Sequence, residues 1–214
     1  MNSALAKLLS VSSGSLLPAW NEHEEGRLSA LQVAHSALLH MLRSRNGFFA
    51  FESALHVYPL GSSPTVLNLL EWNSPNTWRH EYGALIEESV LFFAQDVFGN
   101  QFAITKKGVV LFYSEFAECE QIATDLDEWA DALIANWREF TGFELAHEWQ
   151  LQNRPLSEGE RLIPKIPFVI GGKYEVENLY AGRIVDAMRF RGSLARQLAA
   201  VPDGTPISVT ILKH

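Results

Sequence analysis

The chain has 214 residues, 47% of them hydrophobic and 20% charged, with six tryptophans and thirteen phenylalanines. That composition excludes wholesale disorder, and the length supports one generous domain or a domain with an extension. The net charge of −8 is uneven: residues 1–70 balance at zero, residues 71–131 hold twelve acids against three bases, and residues 132–214 come to +1.

The opening MNSALAKLLSVSSG carries one lysine and no sustained apolar stretch. It reads as a short helix rather than an export signal, so the expected compartment is the cytoplasm. Leu28, Leu31, Leu38, Leu39 and Leu42 mark an amphipathic helix over Leu28–Arg45, with Asn46-Gly47 as a left-handed stop. GFFAFESALHVYP then reads as an extended segment ending at Pro59, and GSSP as a loop. Ser74-Pro75 has the form of an N-cap with proline in the first turn, opening a short helix through Trp78 and Tyr82.

Three strands follow, SVLFFAQD, NQFAIT and VVLFYS, joined by glycine turns at VFG and KKG. Asp96 and Asn100 flank the first turn as turn formers rather than as an acid-base site, with Gly99 supplying a positive φ. Thr124 to Asp127 matches a capping-box start, and the helix it opens aligns Leu126, Trp129, Leu133, Trp137 and Phe140 until Thr141-Gly142. A second helix spans Phe143 to Gln152. From Arg154 the proline-rich RPLSEGERLIPKIP reads as a connecting loop. It leads to IPFVIGGKYEVENL, a helix from about Arg183 to Ala200, a PDG turn and a last strand, PISVTIL. This order predicts an α+β fold rather than alternating βα units.

Motifs that carry chemistry are missing. The chain has no GxSxG, HExxH, Walker loop or GxGxxG, and Gly171-Gly172-Lys173 lacks the earlier glycine and following hydroxyl of a phosphate loop. The seven histidines are scattered, with no i,i+4 pair, so no metal site is expected. The lone Cys119 excludes an internal disulfide, and Glu118 and Glu120 beside it are expected to raise its thiol pKa. Asp125 and Asp127 suit a helix N-terminus. Glu128 and Asp131 are expected on the helix's outer face. Arg183, Arg189, Arg191 and Arg196 are expected to pair locally or stay solvated rather than bind nucleic acid.

The stretches NGFFAFESALHVYP (46–59), LFFAQDVFGNQFAI (91–104) and IATDLDEWADAL (122–133) come in an order that resembles the SUKH superfamily. That group contains the fungal Smi/Knr-type cell-wall regulator and many bacterial immunity proteins. The tail segments IPFVIGGKYEVENLYA, VDAMRFRGSLARQL and VPDG resemble an extension seen in some bacterial members, so the likeness covers roughly residues 28–212. It implies a central antiparallel, twisted sheet with flanking helices, and binding rather than catalysis. On that basis residues 1–27 are a helical lead-in, 28–153 the SUKH-like domain, and 154–214 an extension packed on the same domain. The tail beyond Arg154 is longer than a minimal module needs.

Bacterial members of the superfamily typically neutralise toxins delivered between competing cells, often nucleases or deaminases. The resemblance therefore implies a non-catalytic immunity protein with a basic cognate toxin as partner, no cofactor, no nucleic acid and no membrane. The acidic middle segment fits that partner, and Glu115, Glu118, Glu120, Glu128 and Asp131 are the expected contact residues. A general interaction scaffold in a regulatory pathway is the alternative. A third possibility, a ligand binder or enzyme, would need residues such as His56, His80 and Tyr174 to converge on a deep pocket.

Overall fold

The computed structural model describes residues 3–29 and 36–201. Helices α1 (Ser3–Ser10), α2 (Glu22–Ser29) and α3 (Ser36–Ser44) open the chain. The helix expected over Leu28–Arg45 is represented by the end of α2 and by α3; Leu31 and His35 lie outside the described residues. So do the PDG turn, the expected final strand and His214. Gly47 adopts φ +67° as the stop requires. Beside it, buried Asn46 donates to the carbonyls of Pro18 and Leu60 and accepts from the Leu60 amide, tying three segments together.

The segment Gly47–Pro59 is not one extended run but a hairpin of β1 (Phe48–Ala50) and β2 (Leu55–Val57). Phe51, Glu52 and Ser53 all take positive φ, a left-handed turn that these side chains do not advertise. Next comes α4 (Leu69–Trp72), capped by the Asn68 side chain on the Glu71 amide. Ser74-Pro75 opens no α-helix, and only single 3₁₀ turns form at Arg79–Glu81 and Gly83–Leu85. Burial of Trp78 and Tyr82 decides the local path, with the Tyr82 hydroxyl donating to the Ser114 carbonyl at 2.6 Å.

Strands β3 (Leu91–Gln95), β4 (Gln101–Thr105) and β5 (Gly108–Tyr113) lie where the glycine turns place them. A sixth, β6 (Glu118–Ala123), occupies what the sequence presents as an acidic cluster. Together they form one six-stranded antiparallel sheet in the order β1-β2-β3-β4-β5-β6. Phe93 and Phe102 meet Trp129 on one side, at 5.0 and 5.7 Å between ring centroids. Phe92 and Phe112 meet Trp78 and Tyr82 on the other, at 5.1 and 5.4 Å.

Trp129 belongs to α5 (Leu126–Ala135), along which α1 packs. The apolar stripe is interrupted at Asn136, and Trp137 and Phe140 fall in a separate short helix, α6 (Trp137–Thr141), that Gly142 ends in a left-handed conformation. The next helix, α7 (Phe143–Gln152), has the expected bounds.

The supposed loop after Arg154 contains β7 (Glu160–Pro164), paired with β8 (Leu179–Arg183) in a two-stranded antiparallel sheet before α8 (Ile184–Ala199). Arg161 from β7 is fully buried against the main sheet, 5.4 Å above the Phe49 ring. A second apolar cluster, which includes Val97, Phe98, Trp149, Leu162 and Leu179, binds this tail to α7 and the β3–β4 turn. Helix α8 adds Ile184, Ala187 and Met188 to the main core. The fold is α+β, an antiparallel sheet flanked by helices.

The β3–β4 turn is built around Asp96. Its carboxylate accepts from the Phe98 and Asn100 amides (2.9 and 2.8 Å) and from the Asn100 side chain (2.8 Å). Gly99 takes φ +84°, and a Cβ there would strike Ile184 and Arg191. Burial raises the Asp96 carboxyl to about 6, against the opposing effects of the Asn100 bonds, Arg191 and the Phe98 amide. An unfolded aspartate titrates near 4, so between the two values the folded state keeps a proton that the unfolded chain has released. This group's contribution to stability therefore falls by roughly 2–3 kcal/mol as pH rises from about 4 to about 6. Urea unfolding at both pH values is expected to show Asp96→Asn losing less stability than the wild type over that interval. Equal losses would contradict the buried-carboxylate account.

Candidate functional site

The expected contact residues divide into four that are exposed and one that is not. In β6, Glu118 pairs with Tyr113 and Glu120 with Leu111, while Cys119 and Gln121 alternate with them. Leu111 lies opposite Phe102, whose ring meets Trp129 of α5, so Glu118 and Glu120 stand on the sheet face that α5 covers. Glu118, Glu120, Glu128 and Asp131 are all exposed. Because β6 ends the sheet, these carboxylates form a strip along an edge strand and the adjoining helix.

Glu128 and Glu120 have local duties as well. Glu128 accepts from both the amide and the hydroxyl of Thr124 at 2.6 Å, while Asp125 caps the Glu128 amide at 2.8 Å. The N-cap is therefore Asp125, one residue later than the Thr124 to Asp127 box expected, and the Glu128 carboxylate reaches past it to Thr124. Those Thr124 bonds hold the Glu128 carboxyl below the usual range. Glu120 accepts from the Tyr113 hydroxyl at 2.7 Å. The Tyr113 phenol is pushed up to about 12, first by that bond, then by burial and the charges of Glu120, Asp96 and Glu139.

Glu115 departs from expectation: it is buried and cannot serve as an open surface contact. The corner after β5 turns back at Ala117, a left-handed residue, and leaves Phe116 outside with Glu115 inside. Its Oε2 accepts from the Val169 amide at 2.9 Å, and its Oε1 lies 3.7 Å from Nε of buried Arg191. Arg191 in turn donates through Nη1 to the Phe98 carbonyl and the Ser114 hydroxyl. Glu115 Oε1 accepts no hydrogen bond among the described residues. A cavity of about 60 Å³ adjoins this pair, lined also by Phe98, Phe116, Phe168 and Tyr174. Phe168 and Tyr174 stack in parallel at 3.8 Å, and Phe98 meets each edge-on. Tyr113 lines the same cavity, so the cavity and the acidic strip are contiguous.

His56, His80 and Tyr174 do not converge. His56 is buried in the core, stacked on Phe49 at 4.4 Å, and its pKa is held well below the usual value by burial and then by Arg161. His80 sits on the surface beside Glu81. Cys119 is exposed, and its thiol is raised by burial and by Glu87 rather than by Glu118 and Glu120, which occupy the opposite face of the strand. Among the described residues no group of three His, Cys, Asp or Glu is placed to hold a metal, and no helix is long and apolar enough to cross a membrane.

No protein-family model matches the chain, and no curated protein does. The fold does have a solved counterpart. A crystal structure of Atu4351 from Agrobacterium tumefaciens aligns with a TM-score of 0.59 over 90% of this chain and 89% of that one, at 13% identity. At that identity the likeness extends to the fold alone.

The Tyr113–Glu120 bond offers a direct check on the strip's field. Removing the charge by Glu120→Gln is expected to bring the Tyr113 phenol down from about 12 toward the ordinary 10. The change is read from its ring carbon resonance through an NMR titration. An unmoved titration would mean that Glu120 does not govern this hydroxyl.

Proposed function

We propose that this is a non-catalytic, cytoplasmic immunity protein that binds and neutralises a cognate toxin with a basic working surface. The support is one surface: Glu118, Glu120, Glu128 and Asp131, exposed together along β6 and α5 in the segment whose net charge is −9. The SUKH resemblance points the same way. A toxin that cuts or modifies nucleic acid must present cations to phosphate. An acidic face docked there screens those cations and occludes the substrate path.

Physically, the strip acts over distance. Opposed fields accelerate encounter and align the partners, and they contribute more to rate and specificity than to raw affinity. The rigidity of the strip adds to this. β6 is held by its ladder to β5, and the start of α5 by the reciprocal Thr124–Glu128 and Asp125–Glu128 bonds.

The test is capture of the tagged protein's partner from its own host, followed by binding kinetics. One dominant basic protein is expected, toxic when expressed alone and harmless with this chain. The triple variant Glu118→Gln, Glu120→Gln, Asp131→Asn spares the Glu128 cap. It should slow association about tenfold at low salt, with the difference vanishing at high salt. Several regulatory partners without toxicity would favour a scaffold instead. An association rate untouched by the variant would remove the strip from the interface.

A further inference from the structure

The main sheet has two edges, and the chain treats them differently. At β1 the N-terminal segment covers the edge. Ser12 bridges Ala50, the Ser13 amide donates to the Phe49 carbonyl at 2.7 Å, and the Ser13 hydroxyl accepts from the Phe49 amide at 3.0 Å. At β6 the ladder runs to β5, and among the described residues no strand lies on its outer side. Open edges template pairing with another chain and are commonly blunted by a proline, a bulge or a lysine. Residues 118–121 of β6 have none of these and pair in unbroken register with Val110–Tyr113.

The two faces of this edge differ in chemistry. Glu118 and Glu120 stand on the α5 side, while Cys119 and Gln121 point to the other. There they rim a groove of about 450 Å³, walled by Leu85 and Ile86 with Val110 on the sheet beneath. Leu85 is 38% exposed, so the groove keeps apolar surface open to an occupant. Lys106 and Lys107 also line it, against the single carboxylate of Glu87, so this face offers a cation no net attraction. We infer that β6 is a docking edge that takes an extended segment of the protein partner as a seventh strand, with basic side chains alternating onto Glu118 and Glu120 and uncharged aliphatic ones turned toward the groove. That the segment belongs to a toxin rests on the function proposed above; the pairing chemistry of the edge does not.

The alternation of β6 selects this occupant. An added strand alternates with the same period, so its side chains meet those of β6 face by face. Opposite charges directly across a strand pair are favourable, and like charges are not. A second copy is thereby refused, because self-pairing with the two groove faces aligned sets the glutamates of both copies side by side. Nucleic acid is refused by the same charge. A basic strand is admitted. The glutamates thus guard the edge against self-association and choose its partner by one means. Backbone bonds along the edge then supply affinity, and the alternation supplies specificity. The edge is also formed before binding, held by the β5 ladder and by the Tyr113 bond to Glu120, so little ordering is left for the encounter.

The experiment uses the full chain and an acetylated, amidated hexapeptide of alternating lysine and valine. In the free protein, the β6 amides that β5 leaves unpaired are expected to exchange rapidly with deuterium. Slow exchange there before any peptide is added would mean that another part of the chain, or a second copy, already holds the edge, and would overturn the inference. Saturating peptide is expected to slow both that exchange and the alkylation of Cys119 by about tenfold. Two control peptides carry the same charge. One has its three lysines before its three valines and so lacks alternation; the other is N-methylated at every residue and lacks the strand donors. Each is expected to bind about tenfold more weakly, and equal binding by either overturns strand addition in favour of attraction by charge alone. The double variant Glu118→Gln, Glu120→Gln should also weaken the alternating peptide about tenfold, and an unchanged affinity counts against the inference. The captured toxin is then examined by the same exchange measurement. Protection of the unpaired β6 amides in the complex supports a docked strand. Amides that stay open in a complex that does form overturn it and leave the proposed function standing. If no toxin is captured, the proposed function fails on its own, and the peptides still decide the edge.

Discussion

Arg191 is a buried cation at the point where three distant segments meet. A charge taken out of water must be matched by hydrogen bonds and an opposite charge, or the fold cannot keep it. Here α8 supplies the guanidinium, the β3–β4 turn supplies the Phe98 carbonyl, and the corner after β5 supplies Ser114 and Glu115. Two glycines make the approach possible. A Cβ at Gly99 would strike Arg191 itself, and one at Gly192 would meet Tyr82 and Glu81 within 3 Å. The tail is thus fastened to the sheet through a polar contact as well as an apolar one, and Arg161 of β7 adds a second buried guanidinium, set over the Phe49 ring of β1.

The features legible in the sequence are those whose causes are local. The Asp96–Asn100 turn closes on itself through side chain to backbone bonds within five residues, and α7 begins immediately after a left-handed glycine. The three central strands carry enough apolar side chains to be buried on both faces. By contrast, β6 is mostly exposed and shows no apolar alternation, so only its ladder to β5 makes it a strand. The prolines around β7 suggested a loop, yet Pro155 and Pro167 lie outside the strand and Pro164 at its last position. At an end, a missing amide costs the ladder little.

The site divides along the same line. Glu118, Glu120, Glu128 and Asp131 are exposed because nothing nearby in the chain covers them, a property that spacing and charge convey. Glu115 is buried by partners at positions 169 and 191, more than fifty residues away. Arg191, expected from the sequence to pair locally or stay solvated, is buried as the counter-charge to a glutamate from the acidic segment. Such pairings arise from the packing of α8 on the sheet, which one sequence does not state.

The residues of the acidic edge contribute little to the core: Glu118 and Glu120 hang from a strand whose side chains are mostly in solvent. Changes there meet few packing constraints. Phe93, Phe102 and Trp129, fully buried in the core, are held in place by their neighbours. The fold can consequently stay constant while the side chains of its outward edge change. At 13% identity a shared backbone therefore says nothing of what either edge presents.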